Sequence, residues 1–435
     1  MQSRLPKERQ SPGSLSPEKQ VLLLQVLSYF EDAGHPADEE TAEYLLSFYQ
    51  WNFDQTMQYC RDLVQAVQGT LVPVQQDIPL SGAVNDQMTS CYIDSLLFAM
   101  FARLSAFEGL LNVNLDPESD SDIHTHLLQT WLRMFVNQLR SGRLIQAHVV
   151  KELRQQLYSC GWHCPGPQDP PGRSRQEDSS ELFMFLTEKL HLPYLPLEQR
   201  LLHGAKFSAD DDKVITERML QISIPNDSVY DVLSLEKLLA QYFYDNTLTG
   251  IRRVVSSGTG VPLSPGVEVP VSAWQVLELL PFYSSSNEQG GIIRASQSQY
   301  PTDVVILPLI LKRYAFGQDM QARRINTPID IPRRIDFLRF VNRQTSSDYM
   351  DFRPPQVKYM LELKSVVCHI GSRLDSGHYR SYVADRPNWL RHDDLDPSGQ
   401  RVTLIPKDSV EDMDMETDWA RNGYILFYEL QTIQC

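Results

Sequence analysis

Three apolar stripes at helical spacing open the chain. The first carries Val21, Leu22, Leu23, Leu24, Val26, Leu27 and Phe30 after Ser16-Pro17, a cap followed by the proline that helices accept in their first turn. "AGHP" at 33–36 ends it. A second helix is predicted from about Asp38, with acidic residues in its first turn and Ala42, Tyr44, Leu45, Leu46 and Phe48 on its apolar side. Asn52 and Gln55 stand in the capping-box relation and start a third helix, to about Val67. Three short helices in some 50 residues enclose a core that is marginal by itself. Further on, "TSCYIDSLLFAMF" at 89–101 places Tyr92, Ile93, Leu96, Leu97, Met100 and Phe101 at helical spacing behind Thr89 or Ser90 as a cap. Helical patterns prevail to about residue 190. Strand patterns then take over at 219–225, 304–316, 359–370, 378–385 and 423–430. Helices followed by strands predict an α+β domain.

Punctuation along the chain divides it. Residues 1–15, rich in Ser, Pro and charge without periodicity, read as a disordered N-terminus. Residues 16–68 form the three-helix unit, 69–80 a linker and 81–432 the large domain. "CPGPQDPPGRSRQED" at 164–178 and "SSGTGVPLSPGVEVP" at 256–270 read as surface insertions. There is no internal repeat.

Composition narrows the class. The 435 residues carry 40 basic and 55 acidic side chains, a net charge of -15, which argues against nucleic acid or an anionic membrane as partner. Six cysteines without a basic-then-apolar leader predict a reducing compartment, cytoplasmic or nuclear, not a disulfide framework. Apolar runs such as "VVILPLIL" at 304–311 fall short of the ~18 residues of a membrane span.

The candidate chemistry begins with Cys91 in the first turn of its helix, where unpaired N–H groups and the helix dipole favour a thiolate. By itself this segment also fits a buried thiol. Two segments far along the chain shift the balance toward a nucleophile. "LDSGHYRSYVAD" sets His378 behind a glycine at a strand entry, and "WLRHDDLD" supplies Asp393 and Asp394 fifteen residues on. Thiol, imidazole and carboxylate in that order are the set needed for nucleophilic acyl transfer.

In these segments the chain resembles the ubiquitin-specific proteases, cysteine proteases of papain-like fold. A Cys box is matched by "AVNDQMTSCYIDSLLFAMF", a glutamine box by "QEDSSELFMFL", an inner strand by "LPLILKRYAF", a His box by "VVCHIGSRLDSGHYRSYVAD" with "NWLRHDDLD", and a closing strand by "GYILFYEL". "SCYIDS" is nearest the cylindromatosis-type branch. The resemblance implies a thumb at about 81–205 and a palm and fingers at about 206–432. It makes Cys91 the nucleophile, His378 the base and then acid, Asp393 the orienting carboxylate and Asp394 an adjacent acid near the oxyanion. Asp178 and Glu181 match acids that pair with the arginines of ubiquitin's tail, Gly377 would let the tail approach closely, and Tyr379 would pack beside the triad. The helical trio resembles a UBA-like domain, with Phe30, Gly34, Ala42, Leu45, Leu46, Trp51, Phe53 and Met57 at framework positions; residues 17–66 hold nine acidic against two basic side chains, suited to ubiquitin's basic-rimmed patch or to an adaptor.

Two departures from the family pattern shape the expectations. Where most members place an oxyanion-donating asparagine, this chain has Asp86, leaving Asn85 and Gln87 beside it as alternative amides and the Cys91 N–H as a constant donor. The region that holds zinc in many relatives, about 240–300, contains no cysteine, and Cys160 and Cys164 with His163 between them have no partner pair, so neither metal nor cofactor is expected. The function expected is hydrolysis of the bond after ubiquitin's terminal glycine. Alternatives are a protease for another ubiquitin-like modifier and a silent ubiquitin-binding scaffold.

Overall fold

The computed structural model describes residues 15–112, 120–163, 174–225, 231–255, 268–286, 292–294, 304–316, 322–341, 357–373 and 376–434. The N-terminal segment to residue 14, Cys164 and most of the two expected insertions lie outside the described residues.

The three opening helices form where their caps predict. They are α1 (Pro17–Asp32), α2 (Glu39–Phe48) and α3 (Phe53–Val67). Asp38 and Asn52 accept the Thr41 and Gln55 backbone N–H groups at 2.8 and 3.1 Å, and Ser16 accepts from Lys19 at 3.4 Å. Val26, Phe30, Ala42, Leu46 and Cys60 make the small shared core.

The expected linker does not hold this unit apart. Helix α3 packs on α5 (Asp120–Arg140), and buried Asp62 accepts from Arg143 Nη2 at 2.8 Å and Gln138 Nε2 at 3.2 Å. Asn137 brackets the connecting segment, donating to Thr70 O at 2.9 Å and accepting from Val72 N at 2.8 Å. His148, on α6 (Ala147–Ser159), sits among Phe48, Tyr49 and Tyr59 with ring centroids 4.3, 6.1 and 5.4 Å away. A bundle too small to bury enough by itself gains its missing core from the larger domain.

Helix α4 (Cys91–Phe101) is buried at every position, its apolar pattern interrupted only by Asp94 and Ser95. Each large side chain so buried stabilises the fold by about 1.5–3 kcal/mol, so a whole helix of them belongs at the centre. Its C-terminal end is tied by the buried Arg140 guanidinium, which donates to Phe101 O at 3.0 Å and Leu104 O at 2.8 Å and pairs with Glu108 at 2.7 Å. Helix α7 (Ser179–Lys189) lies beside it.

The strands form two main sheets. The smaller contains β1 (Leu195–Leu202), β2 (Asp212–Glu217), β4 (Asn246–Val254) and β5 (Glu268–Leu279) in the order β2-β1-β5-β4. The larger contains β3 (Leu220–Ser223), β6 (Val305–Lys312), β7 (Val357–Arg373), β8 (Ser376–Asp385), β9 (Asn388–His392), β10 (Val402–Ile405) and β11 (Gly423–Gln434). Its order is β10-β9-β8-β7-β11-β6-β3, antiparallel except for the β3–β6 pair. Two further helices, α8 (Leu235–Tyr244) and α9 (Val410–Asn422), pack on these sheets. The fold is α+β, as expected. Among the described residues no helix is long and apolar enough to cross a membrane.

Near the free end of the smaller sheet, Asp211 joins the loop after β1 to β4. Arg253 donates to Asp211 Oδ1 through Nε and Nη2 at 2.9 and 2.7 Å, and His203 Nε2 lies 3.1 Å from Oδ2. Ion pairing thus ties the strands of this sheet together.

Candidate active site

Cys91 is the first residue of α4 and only 1% exposed. The loop before it turns through Gln87 and Met88, both left-handed at φ 55° and 60°. Ser90 occupies the cap position yet makes no cap bond with its side chain. Its Oγ accepts from the Asp86 N–H at 2.8 Å and donates to Asp94 Oδ2 at 2.6 Å. The expectation of a thiolate-favouring helix start is overturned for this state: burial, with the nearby Asp394 charge, pushes the Cys91 thiol up to about 12, against the help of the Tyr379 and Tyr92 N–H groups.

His378 enters on β8, where it sits opposite Ile370 of β7. Its Nε2 is hydrogen-bonded to Asp393 Oδ1 at 2.7 Å, while Nδ1 is buried with no hydrogen-bond partner, 4.0 Å from Asp394 Oδ1. Burial raises the Asp393 carboxyl, but His378 and the Leu395 N–H outweigh it and hold the group below its usual range. No hydrogen bond joins Cys91 to His378, although the residue after His378 presents its N–H to the Cys91 sulfur. The Cys, His and Asp expected together are therefore brought to one place, from a helix start and two strand ends.

The three oxyanion candidates separate. Asp86 is turned toward α6, its Oδ2 accepting from Arg154 Nη1 at 3.0 Å. Asn85 is spent on both ends, donating to Asp394 Oδ2 at 2.8 Å and accepting from Ser90 N at 3.2 Å. Gln87 is exposed, and its Oε1 accepts from Ser174 N at 3.0 Å.

The acids expected to meet a substrate tail separate too. Asp178 is the N-cap of α7: Oδ1 accepts from the Ser180 and Glu181 N–H groups at 2.7 and 3.1 Å, and Oδ2 from the Tyr424 hydroxyl at 2.7 Å. Buried and fully engaged, it is not an open acceptor. Glu181 is, with a side chain 60% exposed and Oε2 4.0 Å from His163 Nε2; Glu177 lies 3.2 Å from the other ring nitrogen. Gly377, at φ 128°, answers a demand inside the sheet, because a Cβ there would stand 2.4 Å from Ile370 O. Tyr379 is buried, its ring stacked on His369 at 4.3 Å.

Asp94 was not singled out from the sequence. It is fully buried, four residues beyond Ser90, and the charge of nearby Asp394 acts with burial to raise it. In sequence it is indistinguishable from any acid in a first helical turn. The partner that gives it meaning lies far along the chain.

The site thus sets a cysteine at a buried helix start beside a strand that carries a histidine hydrogen-bonded to an aspartate. The family pattern of ubiquitin carboxyl-terminal hydrolases matches residues 81–428, and the chain belongs to that family. The chain is 39% identical over 70 residues to ubiquitin carboxyl-terminal hydrolase 14 of Saccharomyces cerevisiae, a match covering 15% of this chain and only 7% of that relative's length. Among solved structures it is similar to the yeast SAGA DUBm with a mutant Sgf73, with a TM-score of 0.50 at 15% identity over 84% of this chain and 72% of that one. The Ubp8-Sgf11-Sgf73-Sus1 SAGA DUB module gives a TM-score of 0.48 at 14% identity over 94% and 83%.

Proposed function

We propose that the protein is a thiol-dependent deubiquitinase, hydrolysing the peptide or isopeptide bond after ubiquitin's C-terminal glycine. The observation that carries this is His378, with Nε2 fixed on Asp393 at 2.7 Å and a buried, unpartnered Nδ1 on the strand that reaches the Cys91 sulfur. In that geometry Nδ1 takes the proton of the Cys91 thiol as sulfur bonds to the glycine carbonyl carbon. The same nitrogen then returns the proton to the leaving amine as the C–N bond breaks. Water, giving its proton to Nδ1, next adds to the thioester carbonyl, and as the C–S bond breaks the proton returns to the Cys91 sulfur and the glycine leaves as a free carboxylate. Asp393 holds the tautomer and stabilises the imidazolium.

The oxyanion donors are the Cys91 N–H and the Gln87 amide, since Asn85 and Asp86 are occupied elsewhere. Glu181, with Glu177 beside it, offers carboxylates to the tail arginines, a bidentate match for guanidinium. Asp178 contributes by fixing the start of α7, and Tyr379 by lining the sulfur. Residues 16–68 act as a UBA-like unit docked on the thumb, offering ubiquitin or an adaptor an acidic face. The setting is cytoplasmic or nuclear. The buried thiol, held up at about 12, describes a resting site that the substrate tail must open.

The test is labelling by ubiquitin bearing an electrophile at its terminal glycine, beside the same probe made from other ubiquitin-like modifiers. A ubiquitin adduct absent from Cys91→Ala is expected. An adduct with another modifier alone would move the substrate, and absence of any adduct would overturn the enzymatic reading.

A further inference from the structure

Two buried carboxyl groups, Asp94 and Asp394, neighbour each other beside Cys91 and His378, and among the described residues no lysine or arginine hydrogen-bonds to either. Asp394 Oδ2 accepts from Asn85 Nδ2 at 2.8 Å, and Asp94 Oδ2 accepts from Ser90 Oγ at 2.6 Å. The remaining oxygen of each, Oδ1, is buried with no hydrogen-bond partner. Two carboxylates so placed would repel across a dry gap, whereas one proton between them satisfies both.

We infer that Asp94 is a positioning residue that carries this proton as a neutral acid and donates it in a hydrogen bond to anionic Asp394, fixing Asp394 beside His378. The choice of carrier follows from surroundings. Asp94 is fully buried on α4, and the nearest cation acting on it, Arg154 of α6, is already paired with Asp86 of the preceding loop. Asp394 has the Asn85 amide and stands 4.0 Å from His378 Nδ1 of β8, with Asp393 on its own loop and Cys91 on α4 as the other titratable neighbours. Burial raises both carboxyls, Asp94 far more. Nothing in the proton transfer of the proposed reaction requires Asp94 to change state. What it supplies is a fixed anion 4.0 Å from the nitrogen that becomes positive, with the total buried charge kept at one.

This inference rests on the proposed reaction only for its rate readouts, and its other readout is independent of turnover. In the full chain, Asp94→Asn keeps a donor toward Asp394 without altering charge. It is expected to hold kcat/KM on ubiquitin-fluorophore substrate within about threefold, with unchanged pH midpoints, while Asp94→Ala loses on the order of 10- to 100-fold. Infrared spectra at neutral pH are expected to show a protonated-carboxyl carbonyl band that Asp94→Asn removes. The pH midpoint of Cys91 alkylation by iodoacetamide should stay in place in Asp94→Asn. Should Asp94 be ionised, the band would be absent and the substitution would remove a negative charge, moving that midpoint down by about a unit or more, which overturns the inference. Should wild type hydrolyse no modifier yet show the band, the reaction fails and the proton assignment stands.

Discussion

Two buried aspartates, Asp211 at the end of the smaller sheet and Asp94 below Cys91, meet the same cost of burial in opposite ways. Asp211 accepts from the Ser208 N–H at 2.6 Å and from Arg253 at 2.7 Å, with the His203 ring nitrogen 3.1 Å away. Burial would raise it, but these partners hold it down to about 2. Asp94 has Ser90 and a second acid, and burial drives it far up. A carboxyl matched with cations ties strands together and has nothing left to give. A carboxyl matched with another acid keeps a proton, and that pair stands where the thiol and imidazole meet. The difference separates scaffold from chemistry without reference to sequence position.

If that division is right, damage to the two places should show in different measurements. The largest effect is expected at the site: Cys91→Ala should abolish turnover, and Asp393→Asn should lower kcat/KM on the order of 10²- to 10⁴-fold by freeing the His378 ring, both with a denaturation midpoint near wild type. Arg253→Ala should do the reverse, leaving Asp211 buried without its guanidinium and costing about 3 kcal/mol in urea unfolding, with kcat per folded molecule retained. An Arg253→Ala protein of wild-type stability would break the comparison. Asp211 also sets a pH dependence of known sign. Its folded value lies below the unfolded one, so its stabilisation is complete above about pH 4 and is lost as pH falls toward about 2; Arg253→Ala should flatten that limb of the stability profile.

Asp86 sharpens the division because it lies in the site loop yet has a cation. Burial raises it, while Arg154 and Lys151 pull it down. If its pairing with Arg154 is scaffold, Asp86→Asn should cost on the order of 1–3 kcal/mol of stability, leaving Arg154 buried without a counter-charge, while kcat/KM changes by less than about tenfold. A hundredfold gain in rate would instead assign the oxyanion position to residue 86 and remove Gln87 from it.

These partners explain what could be read from the sequence and what could not. Helix α4, the strand at 376–385 and the Cys, His and Asp themselves were legible because each rests on local pattern: apolar spacing, a glycine before a strand, an acid after one. The strands of the smaller sheet were missed. Glu198, Arg200 and Glu278 interrupt their apolar runs from the more exposed face, and polar Gln199 and Gln275, hydrogen-bonded to each other at 2.7 Å, interrupt them from the buried one. The Cys91 thiol was misjudged for a different reason. Helix-start reasoning is local, and the influences that raise the thiol, burial by surrounding elements and the charge of Asp394, come from elsewhere in the chain. Asp86 looked like an anion at an oxyanion position until Arg154 was seen to claim it. In the same way Asp178 matched a substrate-binding acid by spacing, while Tyr424, from the last strand, claims its second oxygen.

His148 carries the comparison to its smallest expected effect: a half-buried titratable group with neither a counter-charge nor a reaction. Both ring nitrogens lack hydrogen-bond partners among Phe48, Tyr49 and Tyr59, and burial lowers the imidazole to about 4. A histidine whose folded value lies below its ordinary 6.5 binds its proton more readily when released. Docking of the three-helix unit should therefore weaken as pH falls from about 6.5 toward 4, by roughly 1–3 kcal/mol, and be unaffected above that window. Hydrogen exchange of the α3 amides against pH measures this directly, with exchange rising in acid. His148→Leu preserves an apolar filling for the cage and should remove the dependence. If exchange in α3 is flat across the window in wild type, the contact with His148 contributes nothing to docking, and the packing of α3 on α5 with the Asp62 pairing to Arg143 and Gln138 holds the unit in place.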